Sequence, residues 1–125
     1  MHLRCYEIVR NFREYKVWQD AMQLVNDVYQ ITKHFPVSET FAISNQIQRA
    51  VVSIPSNIAE GSGRKTEADF VRFLDIALGS TFEVETQVLI AQSLGYIDAN
   101  TSNNLVVKIQ TIEKELTTLI NTVIQ

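Results

Sequence analysis

Apolar side chains recur along most of this chain at intervals of three and four residues, the spacing that gathers them on one face of an α-helix. Between Glu14 and Lys33 the positions are Trp18, Ala21, Met22, Val25, Val28, Tyr29 and Thr32. A second stripe, Val17, Leu24 and Ile31, runs beside them at seven-residue spacing. At about 100° per residue the two stripes cover about half the helix circumference, whereas a bundle helix needs an arc of only about 100° to face its own core. The surplus predicts a second buried surface, and another copy of the chain is the simplest thing to cover it.

His34-Phe35-Pro36 stops this helix, because the residue before a proline avoids helical geometry. Ser38 then reads as the N-cap of a second helix reaching about Glu60, with Ile43, Ile47, Ala50, Val51, Ile54 and Ile58 as its apolar face. Pro55 falls inside it. Either two helices meet at Ser53 or one helix kinks at Pro55, and the unbroken apolar phase through residues 47, 51, 54 and 58 favours the kink. Gly61 and Gly63 fit a C-cap and tight turn, and Thr66 caps a third helix over Glu67 to Leu94.

On that third helix Phe70, Phe73, Leu74, Ala77, Thr81, Val84, Val88 and Ala91 face one core, while Val71, Leu78, Phe82 and Leu89 widen the arc. Gly79-Ser80 in mid-helix predicts close helix packing or a slight bend. Gly95 to Asp98 forms the last turn, with Asp98 as N-cap. Leu105, Ile109, Ile112, Leu116, Leu119 and Val123 then follow in alternating four- and three-residue steps. Lys108, Glu113, Lys114 and Glu115 stand outside that seam. Four helices with short connections predict an all-α, up-down-up-down antiparallel four-helix bundle over residues 14–125. Residues 1–13 form an N-terminal arm or extend the first helix.

Composition narrows the function classes. A length of 125 residues is one domain. The net charge of −3 argues against broad adhesion to nucleic acid or anionic membrane. The charge is uneven: residues 1–65 carry eight Lys/Arg against six Asp/Glu, and residues 66–125 carry three against eight. Such halves can meet within one chain or between chains. The single cysteine, Cys5, forms no internal disulfide and fits a reducing compartment. With neither a signal-peptide core nor a membrane-length apolar run, the expected location is cytoplasmic.

The polar residues offer two candidate sites. Asn45, Arg49, Ser53, Ser56 or Asn57, and Glu60 share one face of the second helix. They read as a solvated stripe or as a structural polar seam fixing helix register, in which Arg49 and Glu60 find partners. Gly61-Ser62-Gly63-Arg64-Lys65-Thr66 sets glycines and two cations before a helix N-terminus, a weak anion cradle that lacks P-loop spacing. Glu83 and Glu85 do not share a face. His2 and His34 lie in no Glu-x-x-His motif, so no metal, cofactor or catalytic set is expected.

The segments Phe12 to Ala21, Thr32 to Pro36, Gln46 to Ala50 and Ser53 to Gly61, followed by Phe73-Leu74, Ala77, Gly79-Ser80 and Glu83, resemble one bacterial family in order and spacing. It is the family of four-helix-bundle proteins encoded in intervening sequences of 23S ribosomal RNA genes, related to the accessory variability proteins of diversity-generating retroelements. The resemblance covers about residues 12–97, and the Ser-Ile-Pro-x-Asn-Ile-Ala-Glu-Gly run is its most specific part. It implies a bundle that assembles into a ring, a homopentamer, and the leading expectation is a non-catalytic scaffold or adaptor for a protein or RNA partner. On this reading Arg49, Ser53, Asn57, Glu60 and Glu83 form the structural seam. Arg64, Lys65, Arg13 and Lys16 remain as contacts for an anion or nucleic acid. The retroelement relatives bind nucleic acid through a basic ring surface, from which this acidic sequence departs. The alternative is an RNA-binding accessory protein whose cations are multiplied around the ring.

Overall fold

The structure, a computed structural model, describes residues 11–125. The readings at His2, Cys5 and the first ten residues of the arm lie outside the described residues. Four helices follow: α1 (Lys16–Thr32), α2 (Ile43–Ser62), α3 (Glu67–Ser93) and α4 (Ala99–Ile124). Each packs against the next and α1 closes on α4, giving an antiparallel four-helix bundle with no strand among the described residues. Leu24, Val28, Val51, Ile54, Ile58, Phe70, Leu74, Val84, Val88, Ile109, Ile112 and Leu116 fill its centre.

The start of α1 differs from the expectation. Phe12–Glu14 form a short 3-10 turn, Tyr15 is extended, and the α-helix begins at Lys16. The buried face also draws on both stripes. Val17, Ala21, Leu24, Val28 and Thr32 are buried, whereas Trp18 and Val25 are half-buried and Met22 and Tyr29 exposed. An arc this wide lets the inward face fall between the two stripes. The choice goes with the partner helix: Lys16 pairs with Glu115 and Lys108 with Asp27, which seats the flank carrying residues 16, 20 and 27 on α4.

Ser38 does not cap α2. Pro36 holds an extended backbone, and Val37–Glu39 form a 3-10 turn closed by backbone bonds from Glu39 to Pro36 and from Thr40 to Val37. The helix starts four residues later than expected, after Ala42, and Phe41 is left 94% exposed. This turn is tied to the far loop. Tyr96 Oη donates to Glu39 at 2.8 Å, and the Tyr96 ring lies 5.6 Å from Phe35. From Ile43 to Ser62 α2 is one helix with Pro55 buried inside it, which excludes two helices meeting at Ser53. Gly61 lies within the helix and caps nothing. Gly63 is the C-cap, its N–H reaching the carbonyls of Glu60 and Gly61.

All eight inward positions of α3 are buried as the spacing predicts. Thr66 caps the helix, accepting from the Asp69 N–H at 3.1 Å. The mid-helix pair divides its work. Ser80 makes the close approach, while a methyl on Gly79 would meet nothing within 4 Å. Gly95, with φ +80°, turns the chain after α3 in a conformation that other residues rarely adopt. Asp98 caps α4, accepting from the Thr101 N–H at 2.7 Å. That bond holds its carboxyl below the usual carboxylate range.

Candidate functional site

The polar stripe of α2 faces α3, and two of the assigned seam residues, Ser53 and Asn57, are bonded together there with Ser80. Ser53 and Ser80 hydroxyls lie 2.9 Å apart across the two helices. Asn57 Nδ2 donates both to the Ser53 carbonyl, at 2.8 Å, and to its hydroxyl, at 2.9 Å. Above this floor opens a cleft of about 460 Å³ lined by Asn45, Gln46, Arg49, Ala50, Ser53, Ser80 and Glu83. Small residues at 50, 53 and 80 let the backbones approach, and the longer polar side chains form the rim.

Arg49 and Glu83 share this cleft, both exposed, and no ion pair joins them among the described residues. Glu83 is held by Gln87, whose Nε2 donates to it at 3.3 Å. Glu60 does not belong here. It is exposed and pairs at 2.7 Å with Arg64, just past the end of its helix.

The α2–α3 turn is organised around Phe73. The guanidinium groups of Arg64 and Arg72 each lie 4.5 Å from the centre of its ring. Asp69 bonds Arg72 at 2.9 Å and lies 3.8 Å from Arg64. The carboxylates of Glu60 and Asp69 therefore neutralise Arg64, while Thr66 and the acidic first turn already serve the N-terminus of α3. Lys65 is exposed beside them. The remaining candidate cations lie elsewhere. Arg13 sits 5.9 Å from the Phe12 ring, and Lys16 bonds Asp20 at 2.7 Å and Glu115 at 3.2 Å. Those two bonds raise the Lys16 pKa.

One pair escapes sequence reasoning. Glu85 of α3 and Glu113 of α4 meet across the helix interface, and Glu113 Oε2 is buried without a donor. Burial first, then the contact with Glu85, pushes Glu113 up to about 7. Only Glu85's place next to the apolar stripe of Leu78, Phe82 and Leu89 hints at this in the sequence. Among the described residues no group of three His, Cys, Asp or Glu side chains is placed to hold a metal ion. No described helix is long and apolar enough to cross a membrane.

Fold and site together define a small antiparallel four-helix bundle whose polar seam lies between its second and third helices. The chain belongs to the 23S rRNA-intervening sequence protein family, whose model matches residues 13–118. A solved relative, a protein of unknown function from the S23 ribosomal protein family of Bacteroides thetaiotaomicron, superposes with a TM-score of 0.77 at 27% identity. The match covers 83% of this chain and 97% of the relative. No curated protein matches the chain.

Proposed function

We propose that the protein is a non-catalytic, cytoplasmic scaffold or adaptor that assembles from copies of itself into a ring of five. The supporting observation is the apolar surface left outside a completed core. The inward positions of α3 are buried, yet Ile76, Phe82, Leu89 and Ile90 remain 42–53% exposed on the outside of the same helix. Met22 and Tyr29 do the same on α1. Concentrated apolar surface of this kind marks an association site.

Light scattering over a range of concentrations tests the reading. The expected mass is near five times the 14.2 kDa chain. A double change, Phe82→Glu with Leu89→Glu, should reduce it to one chain while the helical circular dichroism stays. A wild-type mass of one chain at all concentrations would overturn the assembly.

RNA binding is the second reading, favoured by exposed Lys65 and Arg13, which a ring would repeat. Phosphate neutralisation makes log affinity fall steeply with log salt. A flat response in an RNA titration removes this reading and leaves the scaffold intact.

A further inference from the structure

We propose that the α2–α3 cleft binds a small zwitterion of the α-amino-acid type, its carboxylate on Arg49 and its ammonium on Glu83. The Ser53–Ser80 contact fixes the level at which the two antiparallel helices face each other. Arg49 stands four residues before Ser53, and Glu83 three residues after Ser80. At about 1.5 Å rise per residue these are displacements of about 6 and 4.5 Å, in the same direction because the helices run oppositely. Arg49 and Glu83 therefore stand on opposite walls at nearly one level. Opposite charges so placed ordinarily close into a salt bridge, as Glu60 and Arg64 do at 2.7 Å. Here they line an open cleft of about 460 Å³ without closing on each other.

The ligand class follows from the two charges. A guanidinium matches a carboxylate with two parallel hydrogen bonds. A simple anion would also meet the repulsion of Glu83, and a simple cation that of Arg49. An α-amino-acid group carries both charges on adjacent atoms and satisfies both walls. At the Glu83 end only one bond is already made: Gln87, 94% buried, gives its Nε2 to Glu83 at 3.3 Å. An ammonium brings three N–H groups to that end. Asn45, Gln46 and the serine pair offer further hydrogen bonds.

Amide NMR spectra of the full chain, titrated with glycine, L-alanine, L-glutamate and L-lysine, test the site; acetate and methylammonium serve as half-ligands. The expected result is saturable shifts over residues 45–53 and 80–87 with at least one amino acid, about tenfold tighter than either half-ligand. Arg49→Gln and Glu83→Gln should each weaken binding about tenfold with unchanged circular dichroism, since both side chains are exposed. Exchanging the charges, Arg49→Glu with Glu83→Arg, should restore binding in the reversed sense. The absence of saturable shifts would overturn the proposal. Acetate binding as tightly as the amino acids, or glutamine variants binding like wild type, would overturn it equally.

Discussion

At Gly61 a methyl group would arrive 2.6 Å from Phe73 Cβ and 3.1 Å from the Phe70 ring. Neither neighbour can yield cheaply, because both belong to the buried face of α3. Gly61→Ala should therefore destabilise the fold by about 1–3 kcal/mol through overpacking, despite alanine's better helix propensity. Gly79→Ala makes the contrast: with nothing within 4 Å, it should stabilise by about 0.5–1 kcal/mol. Thermal melts of the two variants should shift in opposite directions. In the sequence Gly61 reads as a C-cap and Gly79 as a site of close packing or a slight bend. What separates them is the distance to another helix, which no local pattern contains. The caps are the opposite case, since Thr66 and Asp98 act on N–H groups three residues away and so were legible. Asp98→Ala should cost about 1 kcal/mol. Because its carboxyl is held low, that stability exists above the ordinary aspartate range and is lost as pH falls through the lowered value.

Among the elements, α3 was read correctly position by position, and α1 was not. α3 is apolar nearly all round, yet the eight positions that read as inward are all buried. On α1 the buried face takes Ala21, Val28 and Thr32 from one apolar stripe and Val17 and Leu24 from the other, and its orientation goes with where α4 places Glu115 and Lys108. The Glu85–Glu113 contact is hidden for the same reason, each carboxylate having an unremarkable place on its own helix. Its consequence can be measured. Glu113 is raised to about 7 from 4.5, so the proton binds more tightly to the folded chain. The stabilisation is complete below about 4.5 and is lost as pH rises to about 7. Across that window the Tm of wild type should fall relative to Glu113→Gln, which keeps a neutral side chain throughout. Parallel Tm curves for the two proteins would show that the pair carries no shared proton.

Over the whole molecule, the basic first half and acidic second half meet partly within one chain. Lys16 of α1 lies against Glu115 of α4, although Asp27 and Lys108 cross in the opposite sense. These exposed pairs orient the helices and add little stability, about 0–1 kcal/mol each. The apolar core holds the bundle, and for that reason the fold was legible from periodicity. The cleft was legible only as a polar stripe, because its second wall comes from residues about thirty positions away. The short turn at Phe12–Glu14 has a practical consequence. Its Phe12 ring meets Trp18 edge-on at 5.3 Å, and Trp18 is the chain's single tryptophan. Tryptophan fluorescence of this protein, excited selectively, therefore comes from one half-buried indole at the start of α1, so its emission reads the docking of the preceding turn. Detachment of that turn would move the emission to the red before the helical signal falls, and a fully cooperative unfolding would make the two curves coincide.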